Sequence, residues 1–105
     1  MSYFKYEVDE GEVTITRYKG AGGDVVIPYT IDGLPVTTIG AYAFRECFKL
    51  TSITLPNSIT TIGDWAFARC FFLTSISVPN GCSIGEGAFE DCPAAITIRD
   101  KEASR

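Results

Sequence analysis

Four thiols, a scatter of carboxylates and a run of hydroxyls carry whatever chemistry this chain of 105 residues can do. Cys47, Cys70 and Cys92 lie 23 and 22 residues apart, and Cys82 stands off that spacing. None forms a C-x-x-C pair, so the common zinc and thioredoxin signatures are missing. The regular interval reads as a column of small buried thiols, with disulfide or redox chemistry as the alternative. Cys82 falls in a turn and is the first candidate among the four for reactivity, although a passive role is favoured there too. Glu46, Asp64, Glu86, Glu90 and Asp91 could attract a cation. Calcium needs six or more oxygens from a shaped loop, and no D-x-D-x-D-G pattern occurs. A solvated acidic edge is the preferred reading. Ser and Thr are plentiful, but the chain has no His, so an ordinary Ser-His-Asp unit cannot form. The usual neutral-pH switch goes with it. Gly20, Gly22 and Gly23 precede a strand rather than a helix and do not make a phosphate loop. These residues point to no enzyme, no cofactor and no bound metal.

Charge narrows the partners. Nine Lys and Arg against 13 Asp and Glu leave a formal charge of -4. Without a basic run, nucleic acid is a poor partner. Apolar residues make up 46% and charged residues 21%, a globular composition. The length suits one domain. The N-terminus, MSYFKYEVDEGEVTITRY, lacks a basic start followed by an apolar stretch, so no signal peptide is read there. No window approaches the ~18 apolar residues of a spanning helix, so membrane insertion is not expected. As written the chain reads as cytoplasmic. A piece cut from a longer surface or secreted protein would read the same way.

The elements that position these groups come from an internal repeat. One copy runs IGAYAFRECFKLTSITLPNSITT over residues 39–61. The next, IGDWAFARCFFLTSISVPNGCS, covers 62–83, and a decaying third, IGEGAFEDCPAAITIRD, covers 84–100. The aligned columns are Ile39, Ile62 and Ile84; Phe44, Phe67 and Phe89; the three thiols; Leu50, Leu73 and Ala95; and Ile53, Ile76 and Ile98. A period this short suits one turn of a solenoid. Leu50-x-x-Ile53-x-Leu55 carries the alternation of a strand with one buried face, and Pro56 and Pro79 end it. Gly63-Asp64 suggests the start of a short helical turn, with Asp64 as its cap. Val25 to Pro28 repeats the strand-Pro pattern. Residues 1–24 read as an N-terminal β cap, two strands about Asp9-Glu10-Gly11. Residues 101–105 form a charged tail.

The columns resemble the leucine-rich repeat, and more narrowly the BspA-type repeat of bacterial proteins, IG-x-x-AF-x-x-C-x-x-L-x-x-I-x-L-P. The match runs from Val36 to about Ile98. The resemblance implies an α/β solenoid, a right-handed coil with a parallel β-sheet face and short helical or 3-10 turns opposite. It also implies a protein-interaction module, in a setting of bacterial surface adhesion or host contact.

Two surfaces are candidates for a protein partner. One is the sheet face, read as Val26, Thr54, Ser77 and Arg99 in one row, with Ser52, Ser75 and Thr97 beside it. A Ser/Thr ladder chosen for β propensity explains that face equally well. The other is aromatic: Tyr42 and Trp65 in one column, Phe48 and Phe71 in another, and Phe72 beside them. Partial burial between the turns is the favoured account of these rings, with an exposed interaction patch as the alternative. Two further functions stay open. The edge at Ile96, Thr97 and Ile98 could pair with a second copy. Trp65 and Tyr42 could stack on a sugar.

Overall fold

The computed structural model describes residues 3–100. The charged tail at 101–105 lies outside the described residues. Ten strands are present: β1 (Phe4–Asp9), β2 (Glu12–Tyr18), β3 (Gly23–Val26), β4 (Thr30–Ile31), β5 (Leu34–Ile39), β6 (Leu50–Thr54), β7 (Thr61–Ile62), β8 (Ser75–Pro79), β9 (Ser83–Ile84) and β10 (Ala95–Arg99). They make two sheets. One runs β1-β2-β5-β7-β9, with β4 paired to β5; the other runs β10-β8-β6-β3. Each coil contributes one strand to each sheet, and all pairings between coils are parallel. The result is a β-solenoid of about 4 turns.

The side opposite the long strands differs from the sequence expectation. No helix occurs there among the described residues. Successive four-residue turns replace it: the N–H groups of Ala43, Arg45 and Cys47 donate to the carbonyls of Gly40, Tyr42 and Phe44. The intervening N–H groups of Tyr42, Phe44 and Glu46 leave the coil. They donate to Asp64, Ala66 and Ala68 of the next coil at 3.1, 2.7 and 2.8 Å. The next coil repeats the pattern, with Trp65, Phe67 and Arg69 donating to Glu86, Ala88 and Glu90. A helix keeps all its interior N–H groups for itself; this backbone shares half of them. The geometry requires left-handed residues, and Tyr42, Glu46, Trp65, Arg69 and Asp91 all have φ of 55–63°. For non-glycine residues this is an uncommon region. Asp64 does not cap a helix. Its Oδ1 accepts the Glu86 N–H at 2.9 Å and ties two coils together.

The third copy is shorter than the sequence alignment suggested. Ile96, not Ile98, pairs with Ile76, and Ile98 pairs with Val78. The offset is two residues, so Ile96 and Ile98 keep the inward face that alternation assigns them.

The core is a stack of identical side chains. Phe44 and Phe67 are fully buried. Their rings lie 5.1 Å apart, and Phe67 lies 5.4 Å from Phe89. Tyr18 extends the stack downward, 5.1 Å from Phe44, and Phe4 follows at 5.7 Å. The spine thus crosses from the repeats into the first hairpin. Ile15, Ile39 and Ile62 fill a parallel column, also fully buried.

The glycine that opens each turn sets the approach of the coils. A Cβ on Gly63 would lie 2.7 Å from the Ala41 nitrogen and 2.9 Å from the Gly40 carbonyl carbon. These are backbone atoms, which cannot swing away. Gly63→Ala is therefore expected to cost about 1–3 kcal/mol of stability through overpacking, read as a lower midpoint in urea. An unchanged midpoint would show that the coils can separate freely at this point.

Candidate functional site

The outward face of the β3-β6-β8-β10 sheet is built by strand alternation. Val25, Ile53, Ile76 and Val78 point into the core and are buried. Their neighbours point out. The register sets two outward rows: Val26, Thr54, Ser77 and Thr97, and beside it Asp24, Ser52, Ser75 and Ala95. Thr97 therefore occupies the place that the sequence alignment gave to Arg99, because the third coil is two residues short. Arg99 pairs with Pro79, one step further along.

Arg99 is committed to the protein itself. Its Nε donates to Asn57 Oδ1 at 3.0 Å, one terminal nitrogen to Ser77 Oγ at 3.2 Å, and the other to the Leu55 carbonyl at 2.6 Å. One guanidinium thus fastens the ends of three successive coils. Asp24 was not anticipated from the sequence. Its Oδ1 accepts Ser52 Oγ at 2.7 Å and sets an acid at the β3 end of the face. The signal was available, since Asp24 shares parity with Val26. The face thus runs from an acid at one edge to a guanidinium near the other.

The aromatic candidates separate into two groups. Phe48 and Phe71 stack at 5.6 Å with their planes 1° apart, and both are exposed. Phe72 beside them is 60% exposed. Arg69 lies 5.2 Å over the Phe71 ring and also pairs with Glu46 at 3.0 Å. These rings form a rim where the turns lead into the long strands. Tyr42 is exposed, with the Arg45 guanidinium 5.7 Å from its ring centre. Trp65 is half-buried. Its ring lies so close over Gly87 that a Cβ there would come within 2.3 Å of it. Partial burial, the account favoured from the sequence, thus holds for Trp65, which folds onto the third coil, whereas Tyr42, Phe48, Phe71 and Phe72 are exposed.

The thiols of the column are free, and Cys70 is fully buried. Its Sγ donates to the Phe44 carbonyl at 3.0 Å. Cys82 lies off the column as expected, with its Sγ 3.6 Å from the Ser83 carbonyl. The carboxylates stay dispersed: Glu46 bridges to Arg69, Asp64 to the Glu86 backbone, and Glu86, Glu90 and Asp91 are exposed. Among the described residues, no group of three or more Cys, Asp or Glu side chains lies together in a way that could hold a metal ion.

A guanidinium fork that spans three acceptors cannot be copied by an ammonium. Arg99→Ala is expected to lower stability by about 1–2 kcal/mol, and Arg99→Lys to recover less than half of that loss. Urea unfolding of the two variants checks this. Full recovery by Lys would mean that charge alone matters at this position.

The comparisons agree with this architecture. The family described as the BspA type leucine rich repeat region (6 copies) matches residues 25–102. A leucine rich repeat protein of T. pallidum is 39% identical, with a TM-score of 0.85 over 90% of this chain and 46% of that one. A leucine rich cell surface protein from Faecalibacterium prausnitzii is 27% identical, with a TM-score of 0.78 over 93% and 30%. A leucine-rich repeat protein from Bacteroides ovatus is 28% identical, with a TM-score of 0.80 over 91% and 28%. The chain therefore spans less than half the length of each of these three structures. No curated protein matches it. A repeat of 22–23 residues, an Ile-Gly-x-x-Ala-Phe turn and parallel sheets on both sides of each coil have one common explanation: the chain belongs to the BspA type leucine rich repeat family.

Proposed function

We propose that this protein is a non-enzymatic protein-interaction module that meets its partner with the outward sheet face and the adjoining phenylalanine rim. The exposed rim carries the reading. Phe48, Phe71 and Phe72 present contiguous aromatic surface next to a polar face of Asp24, Ser52, Thr54, Ser75, Ser77 and Thr97. Aromatic anchors with polar, solvent-accessible residues around them are the usual make-up of an interaction surface. The likeness to a leucine rich cell surface protein supports a surface setting, with adhesion or host contact as the role. The chain is acidic and has no His, which supports a binding rather than a catalytic role.

Fluorescently labelled protein should bind cultured epithelial cells saturably, and prior protease treatment of the cells should abolish the binding. Phe71→Ala/Phe72→Ala should weaken it by at least about tenfold, as loss of a central anchor does. Loss of binding after glycosidase instead of protease treatment would favour the carbohydrate reading through Tyr42 and Trp65. Unchanged binding by the double variant would remove the rim from the contact.

A second reading rests on the last coil. Among the described residues β10 ends its sheet and β9 ends the other. Ile84, Ile96 and Ile98 are exposed although alternation turns the last two inward. An unpaired parallel edge above apolar side chains is a template for another strand. If two copies join there, light scattering after size exclusion should show mass rising above 11.4 kDa with concentration. Thr97→Pro should restore the monomer. A mass fixed at the monomer value would leave both faces to a foreign partner.

A further inference from the structure

One thiol of the column differs from the other two in its surroundings. Cys47 sits in the first full repeat, is half-buried and lines a surface cavity of about 460 Å³. The preceding stretch, Gly20-Ala21-Gly22, also lines this cavity and has almost no side chains to fill it. Arg17, Arg45 and Lys49 stand around the opening, and Glu46 is its acid. Glu46 is shared between Arg69, 3.0 Å away, and Arg45, 4.0 Å away. The cavity is thus a cationic recess in an acidic protein, with Cys47 among its lining residues. Behind Cys47 lies Cys70, fully buried and packed against the Phe44 carbonyl.

We propose that Cys47 is a modification site, at which the thiolate exchanges with a small disulfide carrying carboxylates to give a mixed disulfide. The Cys47 sulfur attacks one sulfur of R–S–S–R. A Cys47–S–S–R bond forms, the original S–S bond breaks, and RS⁻ leaves with the electron pair and takes a proton from water. The cations at the rim attract the anionic reagent, and the cavity admits it.

The surroundings of the three thiols agree with this choice. The neighbouring Cys70 thiol holds the Cys47 thiol below its ordinary value, against the opposing effect of burial, and Arg17 adds to the lowering. The groups facing Cys47 are Arg17 and Tyr18 from β2, Arg45 and Glu46 from its own turn, Lys49 beyond it, and Cys70 from the next coil. Cys70 is pushed up by the neighbouring Cys47 and by burial, and Cys92 is pushed up by burial. Within the column the thiolate therefore forms first at Cys47, where the cavity opens. This assignment moves reactivity from Cys82, the sequence candidate, to Cys47.

The test is labelling of the native chain with a dianionic aromatic disulfide, 5,5′-dithiobis(2-nitrobenzoate), and with the uncharged 4,4′-dithiodipyridine. One thiol should react in a fast phase and map by mass spectrometry to the peptide Glu46–Lys49. The preference for the dianion, relative to free cysteine, should be about tenfold, and it should fall to that of free cysteine in Arg17→Ala/Lys49→Ala. The midpoint of the rate against pH should lie below that of free cysteine. Cys70→Ala, which removes the neighbouring thiol, should raise that midpoint. The wild-type map decides the matter even if a variant folds poorly: a fast phase on Cys82 or Cys92, or no preference for the dianion, overturns the assignment.

Discussion

No coil of this protein can satisfy its own backbone. On the turn side, alternate N–H groups bond within the coil and the rest bond only to the next one. On the strand side every ladder bond runs between coils. A buried amide without a partner costs about 1–3 kcal/mol, so a single coil has no stable existence. Stability here is a nearest-neighbour property, as in other solenoids. The bonds also fix the pitch, and every other column inherits it. Phenylalanines stack at 5.1–5.4 Å because the coils do. The opening glycines are needed because that pitch brings backbone against backbone.

The same constraint converts repetition in sequence into repetition on the surface. A residue type repeated every 22 or 23 positions becomes a row on one face. Hydroxyls line the outer sheet, and phenylalanines stack into a rim. The rows end where the coil ends. At the N-terminal side the β1–β2 hairpin meets β5, and Tyr18 joins the aromatic spine. At the C-terminal side Arg99 reaches back over two coils, so β10 is fastened from its outer face.

Much of this was legible in the chain itself. The period, the Phe column and the alternation of Leu50, Ile53 and Leu55 specify the solenoid and its buried face. Three features were not legible, each for a physical reason. The turns were read as helical because Gly63-Asp64 has the composition of a helix start, and nothing in the residue types announces that Tyr42 and Trp65 take left-handed φ. These side chains are tolerated there because the bonds to the adjacent coil impose the conformation. The row ending in Arg99 was misplaced because sequence columns assume equal coils, whereas the third lacks two residues before its strand. Tyr18 was missed because it stands outside the repeat and enters the spine only through the pairing of β2 with β5.

The misplacement also shows why such a fold can vary its coils. Side chains alternate with a period of two, so removing two residues leaves every inward residue inward. Ile96 and Ile98 keep their face, and the outer row exchanges Arg99 for Thr97. Removing one residue would instead turn the apolar set outward. Length changes in even steps therefore rewrite the exposed rows while sparing the core. Individual character is then expected where a coil departs from the pattern: Gly20-Ala21-Gly22, which leaves Cys47 beside a cationic recess, and the short third coil, which frees Arg99 to fasten its neighbours. The regular columns hold the protein together, and the irregular places distinguish it from a generic stack of the same repeat.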